Sequence, residues 1–202
     1  MAACETGAML DTDPKAVWKR YLDQAHEAML WKLDGVSEYD LRRPLTPTGT
    51  NLLGLVKHVG WVELGYFSLP FGRDPGVELA EPTEVNADMF ATADETVDDI
   101  VQGFRTAWAF ATATIDELDL DAEGTVPWWG PNNPVTLELI LVHLTTEIHR
   151  HLGQIDILRE QLDGAVGHRV DVDNMPPVDE AFWPDYVARL EAIAAGFRDG
   201  TS

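Results

Sequence analysis

The strongest helix signal in the chain lies at residues 136–164, which read TLELILVHLTTEIHRHLGQIDILREQLDG. Thr136 can cap the start of a helix, apolar side chains then recur every three or four positions, and Gly164 can end it. At about 100° per residue, His151 falls in the middle of the apolar stripe, and Glu147 lies one turn earlier, about 40° away. This helix therefore directs a carboxylate and an imidazole toward a core.

The other two histidines of this helix are placed less favourably for a buried site. His143 falls at the edge of the stripe, about 80° from His151, so it is predicted to contact a ligand residue, to line a pocket or to lie on the helix surface, with metal ligation as the weaker alternative. His149 falls at about 160° and is predicted to point to solvent.

A second inward-facing imidazole occurs in residues 51–61, which read NLLGLVKHVGW. His58 shares its helix face with apolar residues, and Gly54 and Gly65 nearby leave room for another helix or a ligand to approach. Trp61 flanks this face and is a candidate pocket residue. Glu63 falls about 140° from His58 and is predicted to be solvated.

Two imidazoles and one carboxylate aimed inward from two helices indicate a metal site at His58, Glu147 and His151. A buried carboxylate is costly unless a cation meets it, and a divalent ion would convert that cost into coordination. This ligand set suits Zn²⁺ or Ni²⁺ and also Fe²⁺, and three protein ligands leave a position open for water or substrate. Two alternatives stay open, because each histidine could be an ordinary core residue and Glu147 could simply be hydrogen-bonded to His151.

The rest of the chain also reads as helical. Long helices are predicted at residues 13–33, 51–69 and 92–118, the third opened by a capping box at Thr92–Glu95, and a shorter helix at 182–197. Because no segment alternates with period two, the predicted class is all-α, a four-helix bundle with an additional C-terminal helix. The predicted organisation is a flexible N-terminus at 1–12, the bundle at 13–165 and a C-terminal extension at 166–202 whose helix packs on the bundle.

Two tryptophans, Trp128 and Trp129, lie in the loop 119–135 just before the fourth long helix. They are predicted to lie near the mouth of the site and contact substrate, or else to hold the loop against the end of the bundle.

Composition excludes several classes of function. The chain has 202 residues, 45% of them hydrophobic, and a net charge of −21. Phosphate backbones and anionic membranes repel such a surface, so nucleic-acid and membrane binding are not expected. No apolar run is long enough for a transmembrane helix, no secretory signal is recognisable, and Cys4 is the single cysteine. We therefore predict a cytoplasmic protein.

The segments 147–164 and 51–61 resemble the two metal-bearing helices of the DinB/YfiT-like superfamily, and the similarity extends over about residues 13–165. The closest resemblance is to actinobacterial DinB-like proteins of the DUF664 group. The resemblance implies an up-down-down-up order of helices, frequent homodimers, and His58, Glu147 and His151 as the metal ligands. Many members have His where this chain has Glu147. With Glu at that position, this chain resembles the mycothiol-dependent maleylpyruvate isomerase.

The resemblance also implies a chemistry. We expect a metal-dependent transferase or isomerase that uses a low-molecular-weight thiol such as mycothiol on a small electrophile, with a coordinated thiol activated by the metal. The alternatives are a metal-dependent hydrolase and a non-enzymatic metal-binding protein that serves in binding or stress response.

Overall fold

The computed structural model describes residues 12–77, 84–130 and 133–198. The predicted flexible segment at 1–12, with Cys4, lies outside this part of the chain except for Thr12. The described residues form six α-helices and one two-stranded antiparallel sheet: α1 (Pro14–Trp31), α2 (Glu38–Arg42), α3 (Leu52–Ser68), α4 (Val97–Glu117), β1 (Glu123–Thr125), β2 (Pro134–Thr136), α5 (Leu137–Asp163) and α6 (Phe182–Ala195). The molecule is mostly helical, which confirms the all-α class.

The ends of the long helices follow from their capping residues. The side chain of Thr136 accepts a hydrogen bond from the Leu139 N–H at the start of α5, and Gly164 ends α5 with φ 78°. Both were predicted from the sequence. The side chain of Asn51 caps α3 by accepting a hydrogen bond from the Gly54 N–H.

Buried apolar side chains from the four long helices belong to one hydrophobic core cluster. α3 packs against α4 and α5, and α1 packs against the same two helices. The fully buried side chains include Leu22 and Met29 from α1, Phe67 from α3, and Phe104 from α4. This packing brings α3 beside α5, the two helices that carry the predicted metal ligands.

The start of the third long helix was predicted wrongly. α4 begins at Val97, and its capping box is formed by Thr96 and Asp99, whose side chains and backbone N–H groups bond reciprocally. The earlier Thr92–Glu95 pair makes only half of such a box, since the Thr92 N–H donates to Glu95 Oε2 at 2.7 Å. Helix α2 and the pairing of β1 with β2 inside the loop 119–135 were also missed, because three to five residues carry too little periodicity to detect.

Two charged residues are buried, Glu63, which was predicted to be solvated, and Arg159. Glu63 is fully buried, and its Oε2 lies 3.0 Å from Nε2 of His26, which is also buried. Arg159 is 9% exposed, donates to the Lys32 carbonyl at 2.7 Å and pairs with Asp163. The prediction for Glu63 failed because it considered one helix face alone, whereas α3 is covered on several sides.

The C-terminal helix α6 has no buried residue. Five of its apolar side chains and one just beyond its end are 36–74% exposed: Phe182, Trp183, Val187, Leu190 and Ile193 in α6, and Phe197 after it. The predicted packing of this helix on the bundle therefore has no buried contact to support it. Among the described helices, none combines the length and the apolar character that a membrane span requires.

Candidate metal centre

The structure brings His58, Glu147 and His151 together between α3 and α5. One ligand atom from each residue lies within 4.8 Å of the other two. Nε2 of His151 is 3.0 Å from Oε1 of Glu147, and Nε2 of His58 is 4.0 Å from the same oxygen. The spacing of four residues on α5 and the apposition of α3 produce this convergence.

The outer nitrogens of both imidazoles have hydrogen-bond partners. Nδ1 of His58 lies 2.6 Å from Oδ2 of Asp88, and Nδ1 of His151 lies 2.8 Å from Oε1 of Gln154. Since both partner atoms are acceptors, each neutral imidazole carries its hydrogen on Nδ1, and this assignment follows from the partners. The two Nε2 lone pairs are then directed inward.

Three electron-pair donors therefore face one another at His58, Glu147 and His151. With both imidazoles neutral, no hydrogen lies between Nε2 of His151 and Oε1 of Glu147, so a cation between them, either a metal ion or a proton on Nε2, is what makes their 3.0 Å approach favourable. Imidazoles fixed through Nδ1 by oxygen acceptors are also the usual arrangement of metal-binding histidines. The donor set thus fits a divalent ion such as zinc.

The cluster is accessible from outside. The side chains of His58, Glu147 and His151 are 17%, 33% and 11% exposed. A small molecule could therefore reach an ion held here, in contrast to the closed coordination typical of purely structural zinc sites.

Asp88 comes from the segment between α3 and α4, and this segment is held closely against α3. A Cβ on Gly54 would overlap the backbone carbonyl of Met89, so only glycine allows this approach. The Asn51 amide donates to the same carbonyl at 3.3 Å, and Lys57 Nζ donates to the Phe90 carbonyl at 3.0 Å. Contacts of α3 and its cap with the backbone of residues 89 and 90 therefore hold Asp88 against His58. No local sequence pattern indicated this position.

Lys57 also reaches the start of the next helix. Its Nζ lies 2.8 Å from Oε2 of Glu95. Burial raises the pKa of Glu95, but the hydrogen bonds from Lys57 and Thr92 outweigh burial and hold the pKa below its usual value. Glu95 thus stays ionised and helps to anchor the segment that carries Asp88.

An aromatic cluster lies two turns further along α3 and consists of Tyr66, Trp128, Trp129 and His143. The indole N–H groups of Trp128 and Trp129 donate to the Tyr66 hydroxyl at 3.1 and 2.9 Å. The ring of His143 lies 4.9 Å from that of Tyr66 and 5.0 Å from that of Trp129. The tryptophans thus lie beside the α3–α5 surface that carries the metal ligands.

The remaining candidates lie outside the metal-ligand cluster. His143 belongs to the aromatic cluster, and Trp61 is 39% exposed on α3. His149 is exposed, as predicted, and its Nδ1 lies 2.7 Å from the Thr145 carbonyl oxygen.

A family model described as mycothiol-S-transferase matches residues 17–164. No curated protein matches the chain.

Proposed function

The chain belongs to the mycothiol-S-transferase family, and from this premise we propose that it joins mycothiol, or a closely similar thiol, to a small electrophile with the help of a divalent metal ion. The family lies within the DinB-like superfamily that the sequence resembles, whereas membership of the DUF664 group stays a prediction. The observation that carries the proposal is the convergence of His58, Glu147 and His151 within 4.8 Å.

We propose these three residues as the metal ligands, with zinc or nickel as the first candidates and iron as a third. A bound divalent ion would stabilise the thiolate of a coordinated thiol near neutral pH. Asp88 and Gln154 hold the two imidazoles in the orientation that directs Nε2 inward. Glu147 contributes the negative charge that offsets part of the charge of a divalent ion.

We place the electrophile on the side of the aromatic cluster. Trp128 is 49% exposed and Trp129 is partly buried beside it, so they offer apolar surface next to the α3–α5 site. Both indole N–H groups bond to the Tyr66 oxygen, which leaves the phenol hydrogen as the group that Tyr66 can offer to an oxygen of the electrophile. In the net reaction the thiol proton goes to water, a C–S bond forms, and the leaving group departs with the electron pair of the broken bond.

Three further parts of the proposal come from the resemblance or the composition. We propose that the four long helices form a DinB-like bundle in up-down-down-up order, that the protein is a homodimer, and that it is cytoplasmic. Glu147 favours one variant of this function, an isomerase that uses the same thiol. The mycothiol-dependent maleylpyruvate isomerase, which the sequence resembles, carries Glu at that position.

The experiment compares Glu147→Gln with the unchanged protein after chelation and reloading with zinc or nickel. We expect the protein to conjugate mycothiol to 1-chloro-2,4-dinitrobenzene only when thiol and metal are both present. Glu147→Gln removes a charged ligand with little change of shape, so its metal affinity should fall by more than about 100-fold. His149→Gln, a substitution of an exposed imidazole on the same helix, is the matched control and should behave as the unchanged protein.

Two outcomes would contradict the proposal. Ester or amide turnover without thiol would identify a hydrolase. A melting temperature that rises with metal but not with mycothiol, together with absence of conjugation, would identify a non-enzymatic metal-binding protein, because a genuine thiol cofactor must stabilise the folded state by mass action.

A further inference from the structure

A cavity of about 540 Å³ opens beside His58, on the side away from the aromatic cluster. Its walls come from two segments that flank α3: one just before the helix and one from the segment that carries Asp88. The lining residues used below are Thr48, Thr50, His58, Asn86, Asp88 and Phe90. None of these residues belongs to the aromatic cluster, so the cavity is a separate part of the site.

The lining residues that the structure describes offer donors and acceptors but no cationic side chain. Thr48, Thr50 and Asn86 each carry both a donor and an acceptor, and Asp88 has a second carboxylate oxygen besides the one that bonds to His58. Within the described ranges no Lys or Arg side chain lines the cavity, and the ammonium of Lys57, which donates to the Phe90 carbonyl, is paired with Glu95. The chain as a whole carries a net charge of −21. Carboxylates and phosphates are therefore disfavoured, whereas hydroxyl groups, which donate and accept, match this lining.

The two wall segments are held in defined conformations. Asn86 has φ 62° and Gly49 has φ 91°, both in the left-handed region. The Met89 N–H donates to the Asn86 carbonyl at 2.8 Å, and the Gly49 N–H donates to the Thr46 carbonyl at 3.0 Å. The close approach of Met89 to Gly54 fixes the second segment on α3. A ligand would thus meet a cavity whose backbone is already ordered, which lowers the entropic cost of binding.

The position of the cavity indicates which part of the reactants it receives. His58 lines the cavity, and Tyr66 lies eight residues along α3, about 12 Å further. Along α3, His58 therefore lies between a hydroxyl- and amide-lined cavity, where Asp88 bonds to its Nδ1, and the aromatic cluster around Tyr66. A thiol with its sulfur at the cluster would extend its polar part into the cavity and leave the aromatic side to the electrophile.

We propose that this cavity binds the uncharged, polyhydroxylated part of the thiol, and that the Asn86 side chain is one of its hydrogen-bonding groups. The inference rests on the proposed function for the identity of the thiol. It goes beyond the proposed function, because it assigns a binding site and a ligand class to residues such as Asn86 that are not metal-ligand candidates.

The test uses the zinc-loaded full chain and three probes in calorimetric titrations. The probes are mycothiol, N-acetylcysteine amide, which keeps the thiol but lacks the polyol, and the N-acetylated glucosamine–inositol part of mycothiol, which lacks sulfur. Asn86→Gly removes the amide while keeping a residue that adopts positive φ freely. Asn174→Gly changes another left-handed asparagine, far from the cavity in sequence, and is the matched control.

We expect Asn86→Gly to weaken mycothiol and the sulfur-free polyol by about three- to tenfold, the range of one lost hydrogen bond, and to leave N-acetylcysteine amide unchanged. Asn174→Gly should change none of the three. Equal weakening of both thiols, or no effect on any probe, overturns the assignment, as does a sulfur-free polyol that fails to bind the unchanged protein. If the polyol binds and Asn86→Gly weakens it, the cavity assignment is supported even when no thiol is transferred. A failure of the proposed function can therefore be distinguished from a failure of the cavity assignment.

Discussion

At the scale of single residues, the most deeply buried ion pair in the described part of the chain lies away from the metal ligands. His26 and Glu63 are 1% and 0% exposed, and the atoms Nε2 and Oε2 lie 3.0 Å apart. The His26 ring packs edge-on against Phe104 and at a tilt against Trp108. Each polar side chain is thus the main compensation for the burial of the other.

We expect His26→Leu to lower the free energy of unfolding by about 3 kcal/mol, because it leaves the Glu63 carboxyl buried without its partner. The double variant His26→Leu, Glu63→Met should recover most of this loss, since apolar pairs often replace buried polar pairs without cost. Urea unfolding measures both values. Glu160→Gln, at an exposed position, is the control and should change the free energy of unfolding by less than about 0.5 kcal/mol. The coupling would be contradicted if the double variant lost as much stability as the two single variants together.

The sequence predicted the three metal-ligand candidates because each is a polar residue on an apolar helix face. The same rule failed for Glu63, which was judged against the face of His58 alone. α3 is buried on most sides by α4, α5 and α2 and by His26 of α1, so the face that carries Glu63 is not solvated. Asp88 was missed for a different reason: its partner His58 lies 30 positions away, and no periodic pattern links a loop residue to a helix.

At the scale of elements, the contact between α3 and the segment carrying Asp88 depends on Gly54. We expect Gly54→Ala to lower the free energy of unfolding by about 2 kcal/mol and to weaken metal binding about tenfold, because the added Cβ displaces Met89 and with it Asp88. Thermal unfolding and metal titration provide the two measurements.

Gly103→Ala in α4 is the matched control, because a Cβ there would meet nothing within 4 Å. Alanine is the better helix former, so this variant should gain up to about 1 kcal/mol and keep its metal affinity. If Gly54→Ala left both quantities unchanged, the close packing of the segment on α3 would be refuted.

The end of α5 contributes a pH-dependent interaction. Hydrogen bonds from Arg159 lower the pKa of Asp163 below its usual value of 3.8; burial raises it slightly, and the Ala165 N–H lowers it further. Because the folded pKa is lower than the unfolded one, this contribution is complete above about pH 4 and is lost as the pH falls through the folded value.

We expect Asp163→Asn to lower stability at pH 7 by about 0.5–1 kcal/mol, since the side chain is 45% exposed and partly screened. Its unfolding free energy should fall less steeply than that of the unchanged protein between pH 4 and pH 2. Asp121→Asn, at an exposed position, serves as the control, and parallel pH profiles for Asp163→Asn and the unchanged protein would contradict the assignment.

Helix ends show where sequence reasoning succeeded at this scale. Asp13 before Pro14, Thr136 and Gly164 each perform the role that their side chains or backbone preferences suggest. The Thr92–Glu95 pattern was equally suitable locally, yet Thr96 caps the helix, which starts at Val97. Glu95 instead bonds to Lys57 of α3, a tertiary contact that a local pattern cannot contain.

At the scale of the whole molecule, the family match ends at residue 164 and α6 follows it without any buried residue. We expect removal of residues 179–202 to change the melting temperature by less than about 3 °C, because almost no buried apolar area is lost. Calorimetry of the shortened and full chains measures the difference. A fall of 10 °C or more would show that the extension packs on the bundle, as the sequence predicted.

The arrangement around Tyr66 gives the protein an optical property. Trp128 and Trp129, two of its seven tryptophans, share one phenol oxygen beside the α3–α5 surface. Indole emission depends on polarity and on the partner of the N–H group, so a ligand that displaces water there should shift the intrinsic fluorescence. The natural chain thus carries its own chromophore for following ligand arrival in real time, without any attached dye.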